Sequence, residues 1–223
     1  MSHSQQTRRA RALAVLAVGA LAGAGLSGCG SGADELVQSS KRVNIERFRE
    51  AVKPIGDNGT RCPLPFDVAA ASARAHIEGA VRPGEPAASG AEGWSDDDAA
   101  ARDPYSNLTP IQRVNGVEVT CSYVVGTAEI DVDTWTSLRG HPLNAALPLI
   151  QRNAGVASSA VGPFAEKMAT IAPLRVVPVG DGQVAAIRLN VDGPGEAALF
   201  VSAKTLTPTQ VTDLTTALAT QLD

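Results

Sequence analysis

Apolar and polar residues alternate most cleanly between positions 117 and 135. Val117, Val119, Cys121 and Tyr123 interleave with Glu118, Thr120 and Ser122, and after Gly126-Thr127 the run Ala128 to Trp135 alternates again. A period of two sends successive side chains to opposite faces of a strand, so this stretch predicts a β-hairpin. Three further strand-like runs follow, Leu174 to Val179, Gln183 to Val191 and Glu196 to Ala203. Gly180-Asp181-Gly182 and Asp192-Gly193-Pro194-Gly195 separate them, which predicts an antiparallel meander.

Elsewhere the period lengthens to that of a helix. Ile45, Phe48, Val52 and Ile55 recur at spacings of three and four, and the pattern ends near Pro54 and Gly56. Asp67 is placed to cap a second helix through the Ala-rich stretch to about Val81, stopped by Arg82-Pro83-Gly84. Two short helices are expected around Leu143 to Asn153 and Ser158 to Ile171, limited by Pro148 and Pro163, since proline lacks an N–H donor and crowds the preceding turn. Thr207-Pro208-Thr209-Gln210 spells a capping box with proline at the first helical position. Val211, Leu214, Leu218 and Leu222 give the helix behind it one apolar face. Residues 83–115, with Pro83, Pro86, Pro104 and Pro110, read as an irregular insertion. Together these elements predict an α+β fold, an antiparallel sheet of about five strands with helices packed on one face and one disulfide.

The first 28 residues do not belong to that fold. Arg8, Arg9 and Arg11 precede an uncharged run from Ala12 to Leu26, too short for the roughly 20 apolar residues of a membrane-spanning helix and laid out as a signal peptide. Leu26-Ser27-Gly28-Cys29 then resembles the lipobox of bacterial lipoproteins. That resemblance implies cleavage before Cys29, a diacylglyceryl thioether on its sulfur and acylation of the new first residue, an anchor of the multi-chain kind that holds stably. The alternatives are an ordinary secreted protein with an accidental cysteine, or a short membrane helix. Thr7-Arg8-Arg9 resembles the start of a twin-arginine signal, though the residues after the pair fit it poorly. The expected organisation is a signal peptide over 1–28, a lipidated cysteine and Gly/Ser-rich tether over 29–43, and one α+β domain over 44–223.

Charge and cysteine usage agree with export. The whole chain carries a formal −4, and losing three arginines with the signal makes the remainder more acidic. No basic stripe or aromatic platform is present for neutralising phosphates or stacking bases, which argues against nucleic acid. Apart from Cys29 only Cys62 and Cys121 remain, an even pair in a compartment where disulfides persist. A bridge between them closes a loop of about 60 residues, worth about 4 kcal/mol in the chain-entropy estimate. The alternatives are two buried thiols or a metal pair; for the latter only His76 and His141 are at hand, without metal-ligand spacing. No metal or cofactor is expected.

The arrangement of a lipobox cysteine, Cys62-Pro63-Leu64 ahead of a helix, Val119-Thr120-Cys121-Ser122-Tyr123 in a strand, and a meander closing on Leu214 to Leu222 resembles small lipoproteins of actinobacterial cell envelopes. The resemblance implies a lipid-anchored location on the extracytoplasmic face of the cell membrane and carries no activity with it. The expected partners are the membrane itself and an envelope lipid or membrane protein.

Candidate chemistry is sparse. Gly-x-Ser-x-Gly, Ser-x-x-Lys and His-Glu-x-x-His are all absent. Gly180-x-Gly182-x-x-Ala185 fits a dinucleotide fingerprint only superficially, because a strand rather than a helix follows it. Trp94 and Tyr105, in the insertion, are candidate ligand contacts, and Asp96-Asp97-Asp98 lacks the spacing of a calcium loop. His141, in a turn, reads as a surface histidine. Glu129, Asp131 and Asp133 alternate along one strand and project to one face, the carboxylates that a hydrolase of envelope polymers would use. The favoured expectation is a non-enzymatic binding or accessory module using the sheet face and the 83–115 segment, with an apolar groove or exposed patch beside that segment. The hydrolase is the alternative, and it requires perturbed carboxylates in a cleft.

Overall fold

The hairpin forms as its alternation demands. In the computed structural model, which describes residues 42–56, 61–93, 107–138 and 142–222, strands β3 (Gly116–Val125) and β4 (Ala128–Ser137) pair residue for residue. Gly126 takes φ +62 at the first turn position and Thr127 does not, the pattern of a type II′ turn, whose twist matches that of the strands. Trp94, Asp96 to Asp98, Tyr105, His141, the signal segment and most of the tether lie outside the described residues.

Two three-residue strands, β1 (Val81–Pro83) and β2 (Ala87–Ser89), pair in turn along the outer side of β3. From β4 the chain passes through α4 (Pro142–Ala154) and α5 (Ser158–Thr170) to the far edge of the sheet. It returns as the expected meander, β5 (Val176–Val179), β6 (Val184–Leu189) and β7 (Glu196–Ser202), and lays β7 against β4. The order is β1-β3-β4-β7-β6-β5, with β2 also on β3, antiparallel throughout.

The fold is thus mixed helix and antiparallel sheet, with seven strands among the described residues where about five were expected. Of the two additional strands, β1 takes the place of the expected helix end and its Arg82-Pro83-Gly84 stop, and β2 lies within the segment read as irregular; three residues are too few to show an alternation. Helix α2 (Val68–Arg74) is correspondingly shorter than the expected run to Val81. Asp67 caps it through Ala70 N–H, but the helix closes in a Schellman turn, with His76 at φ +54, His76 N–H on Ala73 O and Ile77 N–H on Ser72 O. A second capped turn, α3 (Pro110–Arg113), also lies in the insertion, with Thr109 and Gln112 forming its box.

Helices cover both faces of the sheet, not one. On the first face Val119, Ile130, Ile187 and Leu199 pack against Phe48 and Val52 of α1 (Ile45–Gly56), Ala71 of α2, and Leu214 and Leu218 of α6 (Pro208–Ala219). On the second, Val177, Ala186 and Phe200 pack against Leu143 and Ile150 of α4 and Met168 of α5. The reason lies in β7: Ala197 to Val201 are apolar at every position, so both faces of that strand exclude water. Helices α4 and α5 run through Pro148 and Pro163 because each proline is exposed, as are Asn144 and Ser159 four residues back, where water can serve the freed carbonyls.

Cys62, in the link between α1 and α2, is bonded to Cys121 in the middle of β3, with their Cα atoms 5.5 Å apart. The α6 helix forms with the expected Thr207–Gln210 box, and its four predicted apolar residues are all buried. Gln221 at its end exchanges two bonds with the Asp67 backbone, and Gln210 at its start donates to His76 O, tying α2 to α6 at both ends.

Candidate functional site

Half of the second face stays polar. There β3 contributes Glu118, Thr120 and Ser122, and β4 contributes Trp135, Asp133 and Asp131 directly opposite them, with Glu129 opposite Val124 nearest the turn. Two rungs are closed by hydrogen bonds: Thr120 Oγ1 donates to Asp133 Oδ1 at 2.5 Å, and Ser122 Oγ donates to Asp131 Oδ1 at 2.7 Å. The alternation therefore does bring Glu129, Asp131 and Asp133 to one face, together with Glu118, which the sequence reading passed over although it sits in the same period.

Burial divides the ladder. Asp133 is 3% exposed, and burial pushes its carboxyl up to about 6, against the pull of the Thr120 hydroxyl and with help from the Asp131 charge. Glu118 is pushed up to about 7, again by burial first and by the Asp133 charge second. The neighbouring Trp135 meets Phe200 edge-on at 6.5 Å and is buried. Among the described residues its indole Nε1 finds no hydrogen-bond partner.

Toward the hairpin turn the ladder opens into a pocket of about 380 Å³. Glu129 and Asp131 line it from β4, Asn153 from the end of α4, Gln183 from just before β6, Ser202 from the end of β7 and Lys204 from just after it. Backbone geometry places those distant segments. Gly180 at φ +60 lies so close to the α4 end that a Cβ there would be 2.7 Å from Ala154 O. Gly182 at φ +88 would put one 2.5 Å from Pro208 Cβ. The β5–β6 turn is thus held between α4 and α6, and Gln183 beyond it donates to Lys204 O at 3.2 Å while accepting from Ala203 N–H at 2.9 Å.

The pocket offers carboxylate acceptors, an ammonium, two amides and hydroxyls, a set whose chemistry suits directed hydrogen bonds to a polar group. The two acids that ionise near neutrality, Glu118 and Asp133, are not among its lining, so the groups best suited to proton transfer and the groups facing the pocket are different residues. Asp131 joins the two sets by lining the pocket and neighbouring Asp133. Among the described residues no three His, Cys, Asp or Glu side chains converge as a metal ion would need. The superficial dinucleotide fingerprint is the β5–β6 turn, followed by strand β6. Asn153, Gln183 and Lys204 gave no sequence signal, because only the fold brings them beside Asp131. No protein-family model matches the chain, and no curated protein or solved structure is similar enough to it to count as a relative.

Proposed function

We propose that this chain is a lipid-anchored cell-envelope protein whose domain binds a polar envelope ligand, such as a saccharide, and does not transform it. The observation that carries the reading is the pocket at the turn end of β3 and β4, where Glu129 and Asp131 face Lys204, Asn153 and Gln183 across about 380 Å³. Groups of both signs with amides between them suit a ligand that both donates and accepts. The anchor is Cys29 behind Leu26-Ser27-Gly28. Among the described residues no helix is long and apolar enough to cross a membrane, so in this reading attachment rests on the acylated cysteine.

The second reading, a hydrolase of envelope polymers, is supported by the same two carboxylates lining one pocket. Its weakness is that the acids raised toward neutrality lie deeper in the ladder.

Both readings meet in one experiment. The acylated protein is purified from its own envelope in mild detergent, beside Lys204→Ala, Asp131→Asn and Cys29→Ala forms, and whatever stays bound is identified by mass spectrometry. A stoichiometric saccharide retained intact and lost in Lys204→Ala supports the binding module. Recovery of cleaved fragments that become whole in Asp131→Asn supports the hydrolase and removes the first reading. Loss of membrane attachment in Cys29→Ala tests the anchor separately.

A further inference from the structure

We infer that the groove between α5 and the edge strand β5 is a second binding site, built for a fatty-acid carboxylate. It encloses about 380 Å³ between Val161 and Phe164 of α5, Val177 and Val179 of β5, and Ile150 and Val156 from α4 and the link after it. This site is separate from the polar pocket and does not rest on it.

Three observations select the occupant. First, α5 is attached by little: Met168 is its one fully buried residue, and Val161 and Phe164 are left half-covered beside the groove. Apolar surface held open in this way gains when a hydrocarbon chain displaces water from it. Second, Lys167 is the one charged side chain lining the groove, and among the described residues its ammonium pairs with no carboxylate. Arg188, a second cation near this helix end, is committed, because its Nη1 donates to Ala169 O at 3.2 Å and Ile171 O at 3.1 Å. That contact also offsets the negative end of the α5 dipole, leaving the Lys167 charge for a ligand. Third, β5 lies at the sheet edge but carries an exposed Pro178, which has no N–H to offer. An added strand from a peptide or from another copy of the chain is therefore disfavoured. An apolar groove with a cation at its rim and no peptide-pairing edge fits a single acyl chain ending in an anion.

The test uses the full chain carrying Cys29→Ser, so that no acyl group of its own competes, and titrates octanoate, decanoate and dodecanoate by calorimetry below their micelle concentrations. Affinity is expected to rise about fourfold for each added methylene. Lys167→Gln is expected to weaken dodecanoate about threefold to fivefold while leaving dodecanol unchanged. Phe164→Asp is expected to abolish binding of both, with an unaltered circular dichroism spectrum showing that the fold survives. The inference is overturned if dodecyltrimethylammonium binds as well as dodecanoate, if affinity ignores chain length, or if Lys167→Gln changes nothing. It is also overturned if Phe164→Asp removes only a concentration-dependent dimer, which would make a second copy the occupant.

Discussion

Glu118 lies diagonally across the β3–β4 ladder from Asp133, and the charge on Asp133 is one of the two reasons that Glu118 holds its proton to about pH 7. Both carboxyls are raised by burial, so between about pH 4.5 and 7 the folded protein keeps protons that the unfolded chain has already released. Stability must fall as pH rises through that window. Glu118→Gln removes the cost of ionisation while keeping the shape. At pH 8 it is expected to raise stability by roughly 1–2 kcal/mol, discounted for the partial exposure of Glu118, and at pH 4.5 to change little. Urea unfolding at the two pH values checks this, and an equal effect at both would refute the coupling. Trp135, facing Glu118, supplies a second readout: its fluorescence should titrate near pH 7 in the parent protein and not in the variant.

Removing the Cys62–Cys121 bridge should be costly because it spans 59 residues and its second half is buried in β3. The double variant Cys62→Ala with Cys121→Ala is expected to lose about 2–5 kcal/mol. Adding a reductant to the parent protein should lower its melting temperature to that of the double variant. A loss below 1 kcal/mol would mean that α1 and α2 hold to the sheet without it.

His76 occupies the left-handed position that ends α2, a place where glycine is free of strain. The bond that ties this turn to α6 uses the His76 carbonyl, so the side chain can be removed without cutting the tie. His76→Gly should therefore stabilise the protein by about 0.5–1 kcal/mol, whereas His76→Ala should not. Thermal melts of the two variants side by side decide the matter, and destabilisation by His76→Gly would point to an unrecognised role for the imidazole.

Gly182 and Gly193 have nearly the same φ, +88 and +93, in different surroundings. A Cβ at 182 would strike Pro208, while at 193 it would meet nothing within 4 Å. Gly193→Ala should cost about 1 kcal/mol from conformation alone, and Gly182→Ala roughly 2 kcal/mol or more. The larger loss should come with weaker ligand retention, since Gln183 of the pocket follows the displaced turn.

The unequal legibility of this chain has physical causes. Thr109-Pro110-Ile111-Gln112 repeats the spelling of Thr207-Pro208-Thr209-Gln210, and both form capping boxes, yet only the second was read as a helix start. A long apolar face follows Thr207, whereas the helix that Thr109 opens is four residues long and β3 begins at Gly116. The hairpin and the meander were readable because alternation and glycine turns act locally. The second helical layer was not, since the apolar residues of β7 are compatible with one covered face or two until α4 and α5 are placed. The same limit applies to the site. Periodicity put Glu129, Asp131 and Asp133 on one face, but it could not say that Asp133 would be sealed in and Asp131 left to meet Asn153 and Lys204.

The position of β7 has a bearing on how the chain reaches this state. It is the last strand to be made, yet it sits between β4 and β6 and supplies the middle of both cores. Until residues 196–202 have emerged, the hairpin keeps one unsatisfied edge and the two layers of helices have no common floor. Assembly is thus biased toward a late, concerted step dominated by contacts distant in sequence, which is intrinsically slow. A chain emerging N-terminus first would carry an open β4 edge through that interval, a state vulnerable to aggregation and to proteolysis.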